Sequence, residues 1–424
     1  MPKSFLGRAS CLPVGTLRAS VLIAALGLAG AASAAAPGSD PLPGLGTNEP
    51  APAALLTPDL PGTDRSAVLE PVSSCAELDA VANCMDPALP GTVEKVTNVA
   101  AVDTAEAERA RYRRRGGGGG WGGRRSGLPW ASGASSVDSA FEAWRGRRLD
   151  VKTGFLAIRH GWAEFTQVGF VRGLTRSGAR AVLGVGLVPE RARGQLGACA
   201  NGAFDTYIRR VGQGLVSAGA DDAILRLGWE ANRMGDFPWG VLGDGSSYKN
   251  CFRRWVQVLR SVPGQSFVFD FNMGARGNLP YSQDNIYPGA EYVDVIGTQR
   301  YDRCPAVRSD ADWNALYDVR QGNGNPVGLG AWLAWAKAKG KRFSVPEWGV
   351  SNHHPSLHCP DNGFDNPFFI EKMYRFFRAN AAVMAYESYF NGDSQAYRGA
   401  YKIFPSGRNP RAAARYRELW SRGG

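Results

Sequence analysis

Two glutamates stand at the ends of apolar runs 117 positions apart, Glu230 in "LRLGWEANR" (225–233) and Glu347 in "RFSVPEWGV" (342–350). One such carboxylate alone is an ordinary solvated or ion-paired group. Two of them, brought about 5–5.5 Å apart across a sugar ring, are what a retaining glycosidase needs. One gives its proton to the leaving oxygen, and the other attacks the anomeric carbon. Their surroundings must push their pKa values apart. Arg226 can either pair inside a barrel or keep a catalytic carboxylate charged. Other strand ends offer amide, hydroxyl and ring contacts: Asp270 and Asn272, Gln299 and Tyr301, then Tyr386, Glu387, Tyr389 and Phe390. Trp162, Trp229, Trp239 and Trp348 are either core or platforms for pyranose rings, and at least two are expected to stack on sugar. His160 is placed for hydroxyl contacts, with an inert surface position as the alternative.

Competing chemistries lack their residues. There is no G-x-S-x-G elbow and no H-E-x-x-H pair, so serine and zinc hydrolase mechanisms have no support. "NHHPSLHCP" (352–360) gathers His353, His354 and His358 beside Cys359. Structural zinc wants four ligands at fixed spacing, and a disulfide at Cys359 would remove one. The stretch reads better as a substrate-binding loop or inert surface. No metal and no cofactor are expected.

These residues need a frame that brings strand ends together. From about Ser126, apolar strand-like runs at 128–135, 152–158, 180–189, 222–230, 266–273, 293–301, 342–350 and 382–390 alternate with amphipathic stretches. Helical spacing of Leu, Val and Trp recurs at 204–219, 248–262, 329–340, 367–381 and 411–420. Near-continuous apolar strands alternating with helices predict a parallel sheet covered on its outer face. Eight such units predict an α/β fold, the (β/α)8 TIM barrel, over 126–424. An open doubly wound sheet is the alternative. It would carry a G-x-G-x-x-G turn after its first strand, and "GGGGGWGG" (116–123) follows no strand.

The chain ahead of the barrel reads differently. Residues 1–34 carry Lys3, Arg8 and Arg18, then the apolar "VLIAALGLAGA" (21–31) and the small residues "ASA" (32–34). That is the pattern of a secretory signal peptide, with a membrane anchor as the competing reading. Residues 35–125 are rich in Pro, Ala, Gly and Arg and are expected to be a disordered linker. The net charge of +11 invites a nucleic-acid partner, but 109–125 alone hold seven arginines and no acid. Much of the excess therefore sits in a tether, and no nucleic acid is expected. Once Cys11 leaves with the signal, Cys75, Cys84, Cys199, Cys251, Cys304 and Cys359 remain. An even number in an exported chain suggests disulfides, and sequence order favours 75–84, 199–251 and 304–359. The expected product is a secreted or periplasmic monomer with no transmembrane segment in its mature form and a polysaccharide substrate.

"RLGWEANR" (226–233) resembles the acid/base motif of glycoside hydrolase family 26, with Arg226, Glu230 and Asn232 at its fixed positions. "FPWG" (237–240) continues the likeness. "VPEWG" (345–349) is similar to the family's nucleophile strand, and "VDVIGTQRYD" (293–302) to its sixth strand, whose tyrosine bonds the nucleophile. The resemblance spans about 126–424. It implies Glu230 as acid/base, Glu347 as nucleophile and Tyr301 as the latter's partner. It also implies a retaining endo-β-glycanase of the larger clan with its acid/base on strand four and nucleophile on strand seven. Mannan is the first substrate it suggests, with other β-glucan, xylan or exopolysaccharide as alternatives. Two positions depart from the family. Trp229 stands where a histidine is usual, and Tyr386, Tyr389 or Phe390 must replace the usual tryptophan of strand eight. A silent carbohydrate-binding or cell-envelope barrel is the rival reading, and an anionic-polymer binder acting through the arginine tract is a third.

Overall fold

The computed structural model describes residues 125–352, 363–392, 398–405 and 407–422. The expected signal peptide and nearly all of the expected linker lie outside them, as do Cys75, Cys84, His353, His354, His358 and Cys359.

Nine strand pieces make one parallel sheet. In chain order they are β1 (Ser132–Ser135), β2 (Val151–Phe155), β3 (Arg180–Val185), β4 (Ile224–Leu227), β5 (Val268–Met273), β6 (Val295–Thr298), β7 (Arg300–Tyr301), β8 (Arg342–Gly349) and β9 (Met384–Phe390). β6 and β7 are two halves of one barrel strand broken at Gln299, and both pair with β8. β1 pairs with both β2 and β9, so the sheet closes on itself as an eight-stranded barrel. Each predicted strand is present, though shorter. β4 stops at Leu227 and does not run on to Glu230, because Gly228 and Glu230 both turn to positive φ, 53° and 54°.

Helices cover the outside, as alternation with apolar strands requires. They are α1 (Ser139–Arg145), α2 (Trp162–Phe165), α3 (Val171–Thr175), α4 (Leu196–Ala200), α5 (Asp205–Ser217), α6 (Ser246–Arg260), α7 (Asp310–Tyr317), α8 (Leu329–Ala338), α9 (Pro367–Ala379) and α10 (Pro410–Ser421). Local chemistry fixes several starts. Asp138 accepts from the backbone of Ala140 and Phe141 at α1, and Asn366 accepts from Phe369 N ahead of Pro367 at α9. Cys199 on α4 is bridged to Cys251 on α6, as sequence order suggested. Cys304 is disulfide-bonded too. Among the described residues no helix is long and apolar enough to cross a membrane.

The barrel lumen changes character from one end to the other. A plug of Ala131, Val151, Val182, Ile224, Val268, Val295, Ala385 and Tyr386 fills its N-terminal half. Side chains alternate along a strand, so two residues further on the same inward rows carry Arg226 and Asp270. Both are fully buried. The polar rows thus rise towards the C-terminal mouth, where barrels of this kind hold their sites.

Candidate active site

Glu347 owes its inward direction to a bulge. Ser344 on β8 faces the lumen and donates to Asp270 Oδ2 at 2.7 Å. Strict alternation would next turn Pro346 and Trp348 inward. Between Val345 and Trp348, however, β8 uses three steps where β9 uses two, from Glu387 to Tyr389. The extra residue reverses the parity, as bulges do. Glu347 therefore points into the mouth and Trp348 points out. There Arg226 donates to Glu347 Oε1, and the Tyr301 hydroxyl donates to Oε2 at 2.9 Å. Arg226 is itself set by Asn272 Oδ1, at 3.2 Å from Nε and 2.8 Å from Nη2. That oxygen also accepts from Gln299 Nε2 at 2.9 Å. Asn272 Nδ2 and Gln299 Oε1 have no protein partner, so hydrogen-bonding capacity is left at the mouth.

Glu230 is held differently. A left-handed conformation costs a residue with a side chain about 1–2 kcal/mol. It persists here because the loop around it is over-determined. Glu230 N donates to Asn272 O at 2.9 Å, and Arg233 N to Glu230 O at 2.9 Å. Asn232 clasps Gly274 from both sides, accepting from its N and donating to its O, each at 2.8 Å. Trp239 Nε1 donates to Trp229 O at 2.9 Å, and Tyr248 to Gly228 O at 3.2 Å. Strain maintained by so many contacts is characteristic of functional positions.

The electrostatics of the pair are unequal. Burial, and next the negative charge of Glu347, raise the pKa of Glu230; Arg233, Arg226 and Arg303 oppose them. Arg233 donates to Glu230 Oε2 at 3.2 Å. Below the mouth, burial pushes Asp270 up to about 6 against hydrogen bonds from Tyr386 and Ser344. A raised carboxyl suits a proton donor. Since such an acid works only while protonated, kcat/KM should fall as pH rises through its pKa, and that limb should lie above the usual glutamate value. The same shift makes Glu230 a source of stability at low pH that is lost as pH rises through its folded pKa. Removing an opposing cation must raise the pKa further. Arg233→Gln should therefore move the alkaline limb of the pH–rate profile upward; an unmoved or lowered limb would separate Glu230 from the proton transfer.

Arg226, Glu230, Asn272, Gln299, Tyr301, Glu347 and Phe390 are thus brought together, and the other sequence-based candidates among the described residues are set differently. Trp348 is fully buried on the outer side, stacked 5.3 Å from Trp420, with Nε1 donating to Glu387 Oε2 at 2.6 Å. Glu387 faces outward as well, taking bonds from Ser132, Trp348 and Trp420. Trp239 is fully buried against Trp229 and Phe237. A Cβ on Gly186 would come within 2.4 Å of its ring, so the bare glycine is what admits it. Trp229 keeps only 6% exposure, enough for an edge and not a face. Tyr386 belongs to the lumen plug and donates to Asp270 Oδ2 at 2.6 Å. Asn232 spends its amide on Gly274. Trp162 is stacked on Tyr207 of α5 at 5.0 Å, away from the barrel lumen. His160 is exposed beside Glu164. The aromatic that β9 does bring to the mouth is Phe390, 5.9 Å from Tyr301.

The outward setting of Trp348 has a direct consequence. Trp348→Phe removes the bond to Glu387 and part of a packed ring, costing about 2–3 kcal/mol. Thermal unfolding should register that loss while KM stays unchanged. A raised KM with unaltered stability would return Trp348 to the binding surface.

Arg233 and Arg303 were missed from sequence as site residues. The available signal was position alone, since each follows a motif residue, Glu230 or Tyr301, by two or three places. Among the described residues no cluster of side chains fit to hold a metal occurs.

Residues 222–324 match the family model described as Glycosyl hydrolase family 26. The matched stretch contains Arg226, Glu230 and Tyr301 and ends before Glu347. No curated protein matches the sequence. Among solved structures, it is similar to the catalytic domain of a Bacillus sp. JAMB-750 GH26 endo-β-1,4-mannanase, at 15% identity and TM-score 0.46 over 76% of this chain and 92% of that one. A GH26 β-mannanase from Bacteroides ovatus gives 14% and 0.49 over 69% and 89%. A fungal β-1,4-galactanase gives 12% and 0.45 over 70% and 99%.

Proposed function

We propose that this chain is an exported, retaining endo-β-glycanase that hydrolyses a β-linked polysaccharide by double displacement. The observation that carries the reading is the inequality of the two glutamates. Glu347 has donors on both carboxylate oxygens and points into the mouth, while the Glu230 carboxyl has a raised pKa. In the first step Glu230 gives its proton to the departing glycosidic oxygen as Glu347 attacks the anomeric carbon. The C–O bond breaks and a glycosyl ester forms on Glu347. In the second step Glu230, now a carboxylate, takes a proton from water. That water displaces Glu347 and leaves the anomeric configuration retained. Arg226 and Tyr301 hold the Glu347 carboxylate in line, and the unfilled capacity of Asn272 and Gln299 is available to sugar hydroxyls.

The test is a panel of β-linked glycans, mannan first, incubated with the protein while the anomeric configuration of the first-formed product is followed by NMR. Retained product supports the reading. Inverted product contradicts the mechanism, and binding without any product favours a silent carbohydrate-binding barrel.

A further inference from the structure

Besides Arg226 and Arg233, which have carboxylate partners, a third arginine, Arg303, stands at the mouth. Several surface arginines have carboxylate partners, among them Arg193 with Glu190, Arg254 with Asp205, and Arg415 with Glu371 and Glu418. Arg303, two residues beyond Tyr301, forms no ion pair among the described residues. Its guanidinium lies 4.8 Å over the Tyr301 ring and 5.9 Å over the Tyr401 ring, and donates to the Tyr401 hydroxyl. Nε is buried and has no partner. Its charge is felt at the Glu230 carboxyl, so it borders the reacting groups. Arg300, one residue before Tyr301 on β7 and so turned to the opposite side, has a buried Nε without a partner but lies near the Asp302 carboxylate. Exposed Arg276, in the loop after β5, adds its like charge to Arg300. Burial pulls Arg300 down to about 10.

A desolvated guanidinium without a counter-charge is costly unless a ligand completes it. The planar fork of arginine fits a carboxylate by two parallel hydrogen bonds. We infer that Arg303, supported by exposed Arg276 in the loop after β5, selects an acidic β-glycan, with Arg303 binding the carboxylate of a uronic acid unit in a subsite bordering the scissile bond. The inference rests on the glycanase reading and narrows its substrate to carboxylate-bearing chains. A neutral glycan would bring no counter-charge to Arg303 and Arg276. An acidic one arriving from solution is also drawn to the rim by their summed field.

The experiment uses the full chain and two matched pairs of β-1,4-linked hexasaccharides: mannuronate with mannose, and glucuronate with glucose. Within a pair only the C6 carboxylate differs from the hydroxymethyl group. Binding is measured calorimetrically at low salt in a Glu230→Gln background, and cleavage separately with the unaltered protein. In one ring series the acidic member should bind at least about tenfold more tightly than its neutral partner. Adding Arg303→Gln should close that gap, weakening the acidic member more than the neutral one. Arg303→Lys, which keeps the charge, should restore part of the preference. Arg276→Gln, at an exposed position that folding does not depend on, should narrow it. The inference is overturned if the neutral member binds as well in both series, if neither acid binds, or if Arg303→Gln weakens both partners equally, as a purely structural staple would. Failure of the unaltered protein to cleave any of the four tells against the glycanase reading and leaves the binding comparison standing.

Discussion

Replacing Glu347 with Gln is expected to lower turnover at least about 10⁴-fold, because the proposed mechanism forms its covalent intermediate on this carboxylate. The shape survives, since an amide oxygen can still accept from Arg226. Glu347→Ala should be equally inactive but less stable. Arg226 is fully buried, and removing its carboxylate leaves a desolvated charge, a loss of up to about 3–5 kcal/mol. Asp270 remains nearby to soften that loss. Glutamine loses the counter-charge too but keeps an acceptor for Arg226 and fills the space, so calorimetry should show both variants below the unaltered protein and the alanine form the lower of the two. The space vacated in Glu347→Ala admits a small anion, so added azide should restore some activity with inverted product. Turnover close to that of the unaltered protein in either variant would sink the mechanism.

Glu230 has the second large effect, and it should depend on the leaving group. A polysaccharide leaves as an alkoxide unless protonated, so Glu230→Ala should cut its hydrolysis by about 10²–10⁴-fold. An activated aryl glycoside departs without a proton and should still glycosylate Glu347. Its release by water then lacks a base and becomes slow. Stopped-flow measurement should show a burst of aryl product followed by slow turnover. Equal losses on both substrates, with no burst, would remove Glu230 from the acid/base role.

Much of this was legible before the fold was seen, for identifiable reasons. Parallel strands buried on both faces announce themselves as apolar runs, and all eight were found. The partnership of Glu230 with Glu347 followed from their motifs, as did Tyr301. What misled was aromatic density. A tryptophan beside a catalytic glutamate reads the same whether it faces sugar or helices, and side chains adjacent on a strand point opposite ways. Glu347 and Trp348 could not both face the mouth. The bulge between Val345 and Trp348 that chooses between them depends on pairing with β9 and leaves no local mark. The same holds for Glu387, which lies on the outward row of β9 amid Trp130, Trp348 and Trp420. Sequence also hid Arg303, because its place over the Tyr301 and Tyr401 rings is a property of space.

The central claim is that Glu347 becomes covalently joined to the sugar while Glu230 manages the protons. The most direct measurement is to trap that adduct. The Glu230→Ala protein would be treated with an activated glycoside of the cleaved polymer, fluorinated at the carbon next to the anomeric centre to slow release. It would then be digested and sequenced by mass spectrometry. One sugar unit attached to Glu347, within the peptide that contains "VPEWG", is the predicted result. A label on any other carboxylate, or a protein that turns the polymer over yet never carries a label, would contradict the account.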